Sequence, residues 1–104
     1  MRTMMKVSIP VEAGNRGIKD GAIEHTIGGL MERLHPEAAY FYPENGNRSC
    51  LMVFDLKNPS DIPSIVETLF TQLNAAVDLI PVMNADDLKK GLTLFADQNA
   101  ALRR

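Results

Sequence analysis

A chain of 104 residues with 45% apolar and 23% charged side chains has the size and balance of one globular domain around a single core. A net charge of −2 lacks the electrostatic footprint of a nucleic-acid binder, and a lone cysteine excludes an internal disulfide and a CxxC metal site. No apolar stretch approaches the ~20 residues of a spanning helix and no signal peptide is visible, so a single cytoplasmic domain over residues 1–104 is the expectation.

Residues 4–11 predict the first strand. Met5, Val7, Ile9 and Val11 fall on one side and Met4, Lys6, Ser8 and Pro10 on the other, a period of two with one fully apolar face. Residues 12–20 read as a loop or one irregular turn of helix, because Gly14, Gly17 and Gly21 each weaken a helix by about 0.8–1 kcal/mol relative to alanine. A firmer helix follows over residues 22–34, where Ile23, Ile27, Leu30 and Leu34 form a single stripe. Gly28 and Gly29 inside it suggest close backbone approach to another element. His35-Pro36 ends it, since a residue before proline avoids the helical region.

Residues 37–43 read as a second strand and Asn45-Gly46 as a tight hairpin turn. The third strand, residues 48–56, contains Cys50-Leu51-Met52-Val53-Phe54, a continuous apolar run of the kind found in strands covered on both faces. Cys50 within that run reads as a buried core thiol. Ser60 suits the N-cap of the next helix and Pro63 its first turn. Ile62, Ile65, Val66, Leu69 and Leu73 make the cleanest amphipathic stripe in the chain. Residues 75–83 give a fourth strand, with Pro81 marking an edge. Asn84 caps a last helix that runs to about residue 100 with Leu88, Leu92, Phe95 and Asn99 on one side. The terminal Arg103-Arg104 reads as a frayed end rather than a basic patch.

The order βαββαβ plus a C-terminal helix is the split βαβ arrangement of an α+β, ferredoxin-like fold. Right-handed crossovers place both internal helices on one face of a four-stranded antiparallel sheet, with expected order 4-1-3-2. The helix-free face is then expected to carry Met4, Lys6 and Ser8 with Met52, Phe54, Tyr40 and Tyr42. A surface that apolar asks for a cover, either a second copy or the final helix folded back, and a homodimer is the favoured cover.

This architecture resembles the dimeric α/β barrel shared by antibiotic-biosynthesis monooxygenases, muconolactone isomerases and chlorite dismutases. The stretches Ile9-Pro10-Val11-Glu12-Ala13-Gly14-Asn15 and Val53-Phe54-Asp55-Leu56 resemble a bacterial group within that superfamily. The resemblance implies a fold and a dimer. It implies no catalytic residue and no cofactor, because no haem-ligand motif or cofactor fingerprint matches.

No motif specifies a reaction. The candidates for ligand contact are Lys6 and Ser8 on the open face, Tyr40 and Tyr42 at i and i+2, Phe54 beside them, Asp55 at the end of the third strand, and Arg16 in the glycine-rich segment. Each has a plain alternative: an ion pair for Lys6, dimer packing for the tyrosines, a turn organiser for Asp55 and a solvated loop for Arg16. His25 and His35 lack further ligands at metal spacing, so no metal is expected. Two functions fit. One is a small-molecule binder or cofactor-independent enzyme that takes a small apolar or aromatic molecule with one anionic or carbonyl group. The other is a non-catalytic dimerisation module whose barrel is filled by side chains.

Overall fold

The computed structural model describes residues 1–102, so Arg103-Arg104 lies outside the described residues. The elements are β1 (Arg2–Ile9), α1 (Val11–Asp20), α2 (Ala22–Leu34), β2 (Ala38–Glu44), β3 (Asn47–Asp55), a 3₁₀ turn (Pro59–Asp61), α3 (Ile62–Leu73), β4 (Ala76–Pro81) and α4 (Ala85–Leu102). The strands form one antiparallel sheet in the order β2-β3-β1-β4. This is an α+β arrangement consistent with a ferredoxin-like fold. Among the described residues no helix is long and apolar enough to cross a membrane.

Register decides which side chains meet. Across the β1–β3 ladder Thr3 stands opposite Phe54, Met5 opposite Met52 and Val7 opposite Cys50. All six are buried, and all but Thr3 join Ile27 and Leu30 of α2 and Ile65, Leu69 and Leu73 of α3 in one core. The helices α1, α2 and α3 therefore share one face of the sheet. Asn45 and Gly46 both have positive φ, 53° and 77°, which is the two-residue turn whose twist matches a β-hairpin. Both outer strands contain a proline, Pro43 in β2 and Pro81 in β4.

Several expectations need correction. Met52 and Phe54 lie on the helix-covered face, with Phe54 only 2% exposed. An unbroken apolar run carries no alternation to mark its inner side, and the pairing with β1 sets it one residue away from the expected parity. Residues 11–20 form a full helix of ten residues rather than a loop or a single irregular turn, so β1 ends at Ile9, and Val11 belongs to α1. The glycines there make room for packing. A methyl on Gly14 would meet the Arg48 guanidinium, and one on Gly17 would stand 2.7 Å from the Ile23 side chain. Tertiary fit outweighs their poor helix propensity. Gly28 and Gly29 have open space where a side chain would sit, so no backbone approach explains them. Asn58, not Ser60, is the capping residue of this entry: its Oδ1 accepts from the Ser60 backbone N–H at the start of the 3₁₀ turn, and α3 follows Asp61 without a side-chain cap.

α4 stands apart. Its first turn is closed by Asn84 and Asp87: the Asp87 N–H donates to Asn84 Oδ1 at 2.8 Å, and the Asn84 N–H donates to Asp87 Oδ2 at 3.1 Å. Arg2 of β1 donates to the same Asp87 carboxylate at 3.1 Å and also pairs with Glu37. Beyond this base, none of the helix is buried. The molecule is accordingly elongated, 65 Å by 28 Å by 19 Å.

Candidate functional site

The helix-free face is a grid fixed by strand register. One row across the sheet holds Ile80, Met4, Val53 and Ala38. The next holds Asp78, Lys6, Leu51 and Tyr40, and the third holds Ala76, Ser8, Ser49 and Tyr42. The face is graded, apolar at the end where β4 leads toward α4 and more polar toward the β2–β3 hairpin. Tyr40 is 64% exposed and Ile80 is exposed, while Met4, Leu51, Val53 and Tyr42 are half-buried by their neighbours.

Lys6 is central in this grid. It occupies a middle strand, directly opposite Asp78 on β4 and Leu51 on β3. Its Nζ reaches Glu44 Oε1 at 3.5 Å, a long contact between partly exposed groups and a weak tether. The ammonium can therefore turn to another acceptor at little cost. Ser8 and Tyr42 follow one register row away, each aligned on Ser49 of β3. The fold thus brings Lys6, Ser8, Tyr40 and Tyr42 onto one surface.

The other expected contributors are elsewhere. Phe54 is in the core. Arg16 is exposed on α1, which belongs to the helical layer on the opposite side of the sheet. Asp55 is exposed at the end of β3, where its Oδ1 accepts from the Met1 amine at 2.6 Å. That amine holds the Asp55 carboxyl below the usual carboxylate range, the wrong direction for a general base at neutral pH.

Two of the hollows off this face bear on the expected residues. A recess of about 680 Å³ at the foot of α4 is lined by Arg2, Glu37, Asp55, Met83 and Asp87 among others. Its charges already satisfy one another through the Arg2 pairs and the Asp55–Met1 pair, which leaves little to attract a ligand. The second is an apolar groove of about 410 Å³ between α2 and the β2–β3 hairpin, lined by Ile9, Ile23, Ile27, Phe41, Cys50 and Arg48 among others. Sequence reasoning missed it. The signal was Tyr40-Phe41-Tyr42: three consecutive aromatics in a strand put Phe41 on the face opposite its neighbours, where it stands across from Cys50. Burial pushes the Cys50 thiol up to about 11, so it is a packing group and not a nucleophile at neutral pH. Among the described residues, no three His, Cys, Asp or Glu side chains gather as metal ligands.

No protein-family model and no curated protein matches the chain. Among solved structures it is similar to a de novo designed protein, Ferredog-Diesel, at 7% identity over 78% of this chain and 85% of that one, with a TM-score of 0.48.

Proposed function

We propose that this chain is a homodimeric domain of the dimeric α/β-barrel kind, in which the open sheet faces of two copies enclose a cavity for a small molecule. The ligand class is a small apolar or aromatic molecule with one anionic or carbonyl group. Lys6 binds the anionic or carbonyl oxygen, Tyr40 and Tyr42 supply ring surface and hydroxyl donors, and Ser8 adds a further donor. The observation that carries this reading is the position of Lys6. A loosely tethered ammonium stands in a central strand, between Leu51 on β3 and Asp78 on β4, and shares its face with two tyrosines. Enclosure by a second copy would exclude water from that ammonium and strengthen its attraction for an anion.

The graded face favours a second reading in part. Met4 and Val53 crowd the apolar end and Leu51 adjoins them in the next row, which suits association without a ligand. Screening small carboxylates and carbonyl compounds by thermal shift, followed by calorimetry, separates the two. The ligand reading expects saturable binding that Lys6→Met abolishes while the dimer persists. Equal affinity in the variant would remove Lys6 from the site, and no binder from a broad screen would leave the association reading.

A further inference from the structure

Resting on the dimer proposed above, we infer that α4 of each copy lies across the open sheet face of the other, over the row Ile80, Met4, Val53 and Ala38. α4 has 18 residues and none is buried. Most helices in proteins owe their stability to packing of an amphipathic face, a packing that α4 lacks within its own chain, and Gly91 lowers its intrinsic propensity. Yet one side of it is an apolar stripe. Leu88, Leu92, Phe95 and Leu102 fall within one arc, all exposed and interrupted by a single polar residue, Asn99, while Asp86, Lys90, Thr93 and Asp97 occupy the opposite side. That is the pattern of a helix made to pack on something.

The chain's own sheet is not within easy reach. Only Val82, Met83 and Asn84 separate β4 from α4. The Arg2–Asp87 pair ties the first turn of α4 to β1, and folding back would swing Asp87 away from Arg2, whereas the Asn84–Asp87 closure moves with the helix. A second copy satisfies every uncovered surface at once, because each copy brings one stripe and one face, and a two-fold axis pairs them reciprocally.

Dimensions agree with this occupant. From Leu88 to Leu102 the stripe runs about 21 Å at 1.5 Å per residue. A row across four strands spaced about 4.8 Å apart spans about 14 Å, so the stripe is long enough to cross the whole sheet. Area points the same way. A stable interface removes about 800 Å² per partner. The α4 stripe, about 21 Å long and about 11 Å wide, presents about 230 Å². Each copy buries its own stripe and a matching patch of its sheet, about 460 Å² in all, so the exchanged helices supply more than half of what is needed. With α4 over the apolar row, the rows of Lys6, Ser8, Tyr40 and Tyr42 stay open, so the partner's helix forms one wall of the cavity.

The test uses the full chain with Cys50→Ala, so that no native thiol interferes. Copies with Leu92→Cys are mixed with copies with Ile80→Cys, oxidised and sized. Arm exchange gives a covalent dimer joining positions 92 and 80. In parallel, Leu92→Glu with Phe95→Glu weakens self-association by roughly 30-fold or more in sedimentation equilibrium. Both residues are exposed in the single chain, so circular dichroism and urea unfolding confirm that its core is intact. A dimer that forms without the 92–80 link overturns the exchange and leaves the preceding reading standing. An intramolecular disulfide in a chain carrying both cysteines overturns it by returning α4 to its own sheet. A monomer at all accessible concentrations overturns both readings.

Discussion

Met5 and Met52 stand directly opposite each other across the β1–β3 ladder, and neither exposes any surface to solvent. This pair sets the parity of the two central strands. Every second residue from it, including Thr3 and Phe54, points toward the helices, and every intervening one, including Lys6 and Leu51, points to the open face.

Phe54 is the sharpest test of that parity. Phe54→Ala removes a fully packed ring and is expected to cost about 3–5 kcal/mol in urea unfolding. Tyr40→Ala, at an exposed position, is expected to change the stability of the isolated chain by no more than about 0.5 kcal/mol. Equal effects would place Phe54 back on the open face.

The glycines of α1 and α2 should respond in opposite directions. Gly28→Ala enters open space and is expected to stabilise by about 0.5–1 kcal/mol through helix propensity. Gly17→Ala puts a methyl 2.7 Å from Ile23 and close to Leu73, and the overpacking outweighs the same propensity gain, for a net loss of about 1 kcal/mol. Thermal midpoints of the two variants decide it.

The hairpin turn gives a third expectation. Gly46 has φ of 77°, so Gly46→Ala forces a side chain into the left-handed region and should cost about 1 kcal/mol. Asn45→Gly keeps the turn accessible and should be neutral within about 0.5 kcal/mol. Denaturant midpoints for both variants test the assignment.

Cys50 predicts a pH dependence. Its thiol pKa is raised from 9.0 to about 11 by burial, so the folded state holds the proton more tightly than the unfolded one. Its contribution is fully present below pH 9 and is lost as pH rises through about 11. The loss amounts to roughly 2–3 kcal/mol. Lysines and tyrosines also titrate in that window, so the measurement is the difference in urea midpoint between wild type and Cys50→Ala across pH 8 to 11. The difference should shrink as the pH rises.

Legibility in the sequence followed pattern strength. Alternation in β1 named its inner face, Asn45-Gly46 named the turn, and the α3 stripe named its buried residues. β3 was recognisable as a strand, but its run from Cys50 to Phe54 is apolar at every position, so only pairing with β1 could orient it. α1 was hidden because its glycines serve contacts with Arg48 and Ile23, which are distant or across a turn in the chain and invisible to local propensity. For the site, Lys6, Ser8, Tyr40 and Tyr42 followed from parity alone. Arg16 and Asp55 did not, because placing them required knowing the helical layer and the Met1 pair.

Pro43 and Pro81 have a consequence for self-assembly. A proline has no amide hydrogen to offer, so the two borders of this sheet each interrupt the ribbon that an incoming strand would need. Lateral growth into fibrils is thereby discouraged on both sides, even in a crowded or partly denatured sample. Copies of this chain that come together are steered to meet flank against flank rather than rim to rim.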